Sequence, residues 1–78
     1  MKNRFPSLTH LRCFERAARH QSFTAAAEEL RMTQSAVSKK IRELEVDLGV
    51  DLFRRVGRGV ALTQAGKSFA ADLEPDLS

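Results

Sequence analysis

Between Thr33 and Lys40 the chain reads Thr-Gln-Ser-Ala-Val-Ser-Lys-Lys, and its polar members have the chemistry of a groove-reading surface. If Val37 and Ile41 point inward on a helix, Gln34, Ser35, Ser38 and Lys39 fall on the outer side. Glutamine offers a donor and an acceptor together to an adenine edge, serine bonds a phosphate or a base, and lysine reaches guanine acceptors or phosphates. Taken singly, each of these residues describes an ordinary solvated helix face; their grouping in the first turns of one helix favours recognition. A second cationic group, Arg54, Arg55 and Arg58, surrounds Gly57 and Gly59. Guanidinium groups around a turn can contact phosphates or enter a minor groove. The plain alternative is that Arg54 or Arg55 pairs with Glu45 or Asp47 and serves only packing.

Other chemistries find little support. The single cysteine, Cys13, has no disulfide partner, and with His10 and His20 it makes no zinc-ligand spacing, so no metal is expected and no cofactor is implied. Cys13 adjoins Phe14 and should border the core. Neither histidine has a nucleophile and carboxylate in catalytic order, and both read as surface or helix-end residues. Gly66-Lys67-Ser68 matches the end of a phosphate-binding loop, but that pattern needs a glycine five residues earlier, where Ala61 stands. A chain of 78 residues is also too short for the parallel sheet that carries such loops or for a deep substrate pocket, which argues against an enzyme.

These groups need elements to hold them. Ser7 can cap a first helix with Leu8, Leu11, Phe14 and Ala18 at spacings of three and four, after a short basic arm at residues 1–6. Ser22 can cap a short second helix with Phe23, Ala26, Ala27 and Leu30 on one face. Arg31 and Met32 leave a tight turn before Thr33, the cap of a third helix carrying Val37, Ile41, Leu44 and Leu48 and closed by Gly49. Ala27 is small enough for close approach and Val37 would plug the crossing, which is the plan of a helix-turn-helix. The usual turn glycine is replaced by Arg31, at a cost on the order of 1 kcal/mol in a left-handed conformation. Leu52, Phe53, Val56, Val60 and Leu62 suit a two-stranded hairpin turning at Gly57 and Gly59. Thr63 caps a last helix with Phe69 and Leu73 four residues apart. Pro75, which lacks an N–H and crowds the preceding turn, weighs against that helix reaching Leu77.

The charge distribution agrees. Residues 1–60 hold twelve basic and seven acidic side chains, whereas residues 61–78 hold one and three. With a pI near 9.6, the basic body implies a polyanionic partner. Neither a signal-peptide run nor a membrane-length apolar stretch is present, and a cytoplasmic location is expected.

In order, the residues resemble the N-terminal domain of LysR-type transcriptional regulators. The resemblance rests on Leu11, Phe14 and Ala18, Ser-Phe-Thr-Ala-Ala-Ala-Glu-Glu-Leu at 22–30, Thr-Gln-Ser-Ala-Val-Ser at 33–38 and Ile-Arg-Glu-Leu-Glu at 41–45. It continues in Leu-Gly at 48–49, Leu-Phe-Arg-Arg at 52–55 and Leu-Thr-Gln-Ala-Gly at 62–66. Ala-Arg-His-Gln-Ser-Phe-Thr at 18–24 is most like the branch that includes glycine-cleavage and β-lactamase regulators.

The resemblance implies a mostly α winged helix-turn-helix of three helices and a two-stranded wing over residues 1–62, with residues 63–78 starting a truncated linker helix. It implies a homodimer of the full-length regulator on double-stranded DNA, at an interrupted palindrome, with recognition helices in the major groove and wings in the minor groove. By resemblance Gln34 and Ser35 contact bases, and Lys39 touches bases or phosphates. Ser22, Thr24, Thr33, Ser38 and Thr63 lie on the phosphate side, Arg58 matches the wing arginine, and the last helix, with Phe69 and Leu73, serves dimerisation; Arg54 of the hairpin is also expected to contact DNA. The family usually continues beyond the point where this chain stops, into a ligand-binding domain that would take a small-molecule inducer. The competing reading is a winged-helix protein-interaction module, because one fold serves many functions. Salt discriminates the two, since only binding that neutralises phosphates weakens steeply with ionic strength.

Overall fold

The computed structural model describes the backbone of residues 7–77 and the side chains of residues 7–73. The basic arm read at residues 1–6 lies outside them. The elements run α1 (Leu8–His20), α2 (Phe23–Leu30), α3 (Gln34–Leu48), β1 (Phe53–Val56), β2 (Gly59–Leu62) and α4 (Gln64–Leu77).

The helix starts are set by hydroxyl caps. Ser22 Oγ accepts from Ala25 N at 3.1 Å, Thr33 Oγ1 from Ala36 N at 3.0 Å and Thr63 Oγ1 from Gly66 N at 3.0 Å, while Ser7 Oγ accepts from His10 N at 3.3 Å. Each cap satisfies an amide that the first helical turn leaves unpaired. At the other ends the chain turns left-handed, at Gly49 with φ 74° but also at Gln21 with φ 54° and Arg31 with φ 60°. The Arg31 turn is closed by Met32 N–H donating to Ala27 O at 2.9 Å.

Two adjoining clusters make the core. One joins Cys13 and Ala17 of α1 to Ala26, Ala27, Val37 and Ile41, so that the small alanines bring α2 and α3 together with Val37 at their crossing. The other joins Phe14 to Leu44 and Leu52, with Phe53, Leu62, Phe69, Ala70 and Leu73 packed on it. Phe14 meets Phe69 edge-on at 5.1 Å and Phe53 at 5.5 Å, and Phe53 in turn meets Phe23 at 5.3 Å. The inward face of α1 therefore differs from the stripe its spacing suggests. Leu8 is 55% exposed, whereas Cys13, Phe14 and Ala17 are at most 1% exposed. Covered by α2 and α3 on one side and by the hairpin and α4 on the other, α1 buries a sector rotated away from Leu8.

The strands are antiparallel, with Phe53 opposite Leu62 and Val56 opposite Gly59, leaving a two-residue tip of Gly57 and Arg58. Gly57 takes φ 57°, as the first central residue of a glycine-led hairpin turn must. Gly59 has a different role from the one its sequence position suggests. It does not loosen the tip: a Cβ there would lie 2.6 Å from Gln21 O, and Val60 N–H donates to that same oxygen at 3.2 Å. Gly59 thus lets the wing dock on the α1–α2 turn.

One expectation about α4 changes. The helix continues through Pro75 to Leu77. Phe69 and Leu73 pack inward on the Phe14 cluster, so α4 shares the core of the preceding elements. Gly66 lies buried in its first turn, where a Cβ would collide with Leu52 O, which makes it a packing glycine.

Candidate nucleic-acid interface

Helix α3 turns Val37, Ile41 and Leu44 into the core, each at most 2% exposed, and this fixes what faces outward. Gln34, Ser35 and Lys39 are exposed, and Ser38 is half-buried, its Oγ accepting from Gln34 Nε2 at 3.3 Å. The first-turn residues thus form one polar face. Arg42 is exposed on the same face, four residues after Ser38 and seven after Ser35. Sequence reasoning did not single it out, although that helical spacing was the signal.

The hydroxyl residues divide. Thr24 is exposed on the first turn of α2. Ser22 and Thr33 accept amides as caps and keep their own protons for donation. Thr63 accepts from Gly66 N and donates to Asp51 O at 2.6 Å, so its proton already ties the base of the hairpin together. A phosphate oxygen needs a donor, and Thr63 has none to offer in this arrangement.

The wing separates its arginines by strand alternation. Arg58 is exposed at the tip. Arg54 borders Ala18, Gln21 and Lys67, on the side away from α3. Arg55 lies on the other side, facing a cleft that it shares with Ser38 and Arg42. The pairing of Arg54 or Arg55 with Glu45 is not formed. The Glu45 carboxylate instead accepts from Leu52 N at 2.8 Å and Phe53 N at 3.2 Å, anchoring the entry to β1. Among the described residues no ion pair engages Lys39, Arg42, Arg54, Arg55 or Arg58.

The histidines prove to be ties between helices as well as helix-end residues. His10 Nε2 meets Glu43 Oε1 at 2.7 Å, joining α1 to α3, and His20 Nε2 meets Glu29 Oε1 at 2.7 Å, joining α1 to α2. These hydrogen bonds hold both glutamates below the usual carboxylate range, with further help from Arg16 at Glu29 and Lys40 at Glu43. Cys13 is fully buried, its Sγ 3.8 Å from Met32 Sδ, and burial pushes its thiol up more than nearby Lys40 pulls it down. Among the described residues no three His, Cys, Asp or Glu side chains gather where a metal could bind, and no helix is long and apolar enough to cross a membrane.

Residues 8–67 match the family model of the bacterial regulatory helix-turn-helix proteins of the lysR family. The chain belongs to that family. What it carries is the family's winged helix-turn-helix DNA-binding domain, a regulator's module rather than an enzyme. It is 53% identical, over all its 78 residues, to the glycine cleavage system transcriptional activator of Escherichia coli K12, of which it covers 26%. Over 66 residues it is 53% identical to the carbapenem-hydrolyzing β-lactamase transcriptional activator of Serratia marcescens, covering 85% of this chain and 22% of that one. These relatives fit the branch indicated by residues 18–24. The fold is similar to that of the CbnR DNA-binding domain in its complex with DNA, with a TM-score of 0.85 and 35% identity over 91% of this chain and 82% of that one. The chain spans about a quarter of the length of the curated relatives it matches.

Proposed function

We propose that this domain binds double-stranded DNA sequence-specifically for a transcriptional regulator, with α3 in the major groove and the hairpin tip in the adjoining minor groove. The observation that carries this reading is the outward face of α3. Gln34, Ser35, Lys39 and Arg42 lie exposed beside a wing whose arginines are engaged in no ion pair among the described residues.

In this reading Gln34 and Ser35 contact base edges and Lys39 contacts bases or phosphates. Ser22, Thr24, Thr33 and Ser38 contact phosphates, and Arg58 enters the minor groove. Thr63 positions the wing from its base, and Arg54 lies behind it. The full-length regulator acts as a homodimer on an interrupted palindrome. A second α4 would cover the edges of Phe69 and Leu73 that the domain's own core leaves exposed. A small-molecule inducer would bind in a further domain such as the longer relatives have room for. The target places the protein in the cytoplasm.

Selection of bound duplexes from a random library, followed by salt titration of the winner, tests this reading. A recurrent half-site and a steep fall of affinity with salt are expected. Absence of enrichment together with salt-insensitive association would instead identify a protein-docking module.

A further inference from the structure

Between α3 and the hairpin lies a cleft of about 250 Å³, with Ser38 and Arg42 on its helix wall and Arg55 on its hairpin wall. Phe23 and Phe53 also line it, and their rings pack edge-on at 5.3 Å, so its position is fixed by packing. Both arginines are exposed, and neither has an ion pair among the described residues. Glu45 borders the same cleft, but its carboxylate is directed at the Leu52 and Phe53 amides. Ser38 Oγ accepts from Gln34 and keeps its proton to donate. Two guanidinium groups and a hydroxyl thus flank one notch with no carboxylate engaging them. Like charges on facing walls repel until an anion lies between them, and guanidinium forks suit the paired oxygens of a phosphate.

We propose that this cleft grips a backbone phosphodiester of duplex DNA, shared by Arg42 and Arg55. The inference rests on the DNA-binding reading above. A major groove and the minor groove beside it are separated by one sugar–phosphate ribbon. With α3 in one and the wing tip in the other, the notch between them straddles that ribbon. Arg55, not its neighbour Arg54, is the strand residue that reaches it, because alternate residues of β1 face opposite sides.

The test uses Arg42→Gln, Arg55→Gln and the double variant, with Arg12→Gln on α1 as a control that removes one charge elsewhere. All these positions are exposed, so thermal midpoints should match that of the parent. Binding is titrated with salt on the selected duplex and on copies carrying a neutral methylphosphonate at one position at a time. If one phosphate is shared, the double variant lowers the magnitude of the salt slope by about 1 per subunit, and independent contacts would lower it by about 2. One methylphosphonate position per half-site should weaken the parent and Arg12→Gln and leave the double variant indifferent. A fall of about 2, or a double variant with the parent's slope and methylphosphonate pattern, overturns the shared grip while leaving DNA binding in place. A parent that shows no salt-dependent duplex binding overturns both readings.

Discussion

The α1–α2 side and the α3–wing side of this domain both carry arginines but use them in opposite ways. On the first side, Arg16 pairs with Glu15 and Glu29, Arg19 with Glu15 at 2.9 Å, and His20 with Glu29. The charges there close on one another and hold two helices together; among the described residues only Arg12 and the turn residue Arg31 stand outside the network. On the second side, Lys39, Arg42, Arg55 and Arg58 form no ion pair among the described residues, and the nearby Glu45 is engaged with backbone amides. Composition gives both sides cations. An unpaired cation keeps its Coulombic attraction for an external anion, so the side where such cations cluster is the one proposed above to meet DNA.

The largest effect should come from undermining the scaffold of the open side. Gly66→Ala places a methyl against Leu52 O, a backbone atom with little freedom to move, and should cost about 1–3 kcal/mol or more in denaturant unfolding. If α4 shifted to accept it without loss, the tight seam at the base of the hairpin would be refuted. Gln34→Ala should next cost about 1–3 kcal/mol of affinity on the selected duplex and little on random DNA. Equal losses on both would move Gln34 from base reading to phosphate contact. Arg58→Ala should weaken both duplexes alike and lower the salt slope by about 1 per subunit. A slope that overlays the parent's would remove the tip from the interface.

The closed side should respond to acid. The Glu29 carboxyl is held low, first by the hydrogen bond from His20 and then by Arg16. A carboxyl with a lowered folded value stabilises the fold above the ordinary glutamate value, near pH 4.3, and loses that contribution as pH falls through its folded value. Glu29→Gln should therefore bring a small loss of thermal stability at neutral pH, a flatter acid branch and unaltered DNA affinity. A change in DNA affinity instead would show that the two sides are not separate.

Much of the fold was legible because it is locally encoded. Ser22, Thr33 and Thr63 cap helices wherever their tertiary partners lie, and Arg31 turns left-handed in the short link the helix spacing leaves. The outward set Gln34, Ser35 and Lys39 followed from the inward set Val37 and Ile41 through helical period alone. Less legible was the face of α1. Its leucines carry the stronger hydropathy signal, but two neighbouring layers cover the sector holding Cys13, Phe14 and Ala17.

By itself the sequence determined the order of elements, their caps, the helix-turn-helix and the surplus of cations, because short-range spacing and hydrogen bonding suffice for each. Only the tertiary structure decided which cations remain open. Strand alternation places Arg54 and Arg55 on opposite faces but does not say which face meets α3. That is settled when Gly59 brings the hairpin against the carbonyl of Gln21 and Glu45 takes the amides at the entry to β1. The same docking turned Phe69 and Leu73 inward and made Gly66 a packing residue. These are contacts between segments distant along the chain, which no local periodicity encodes.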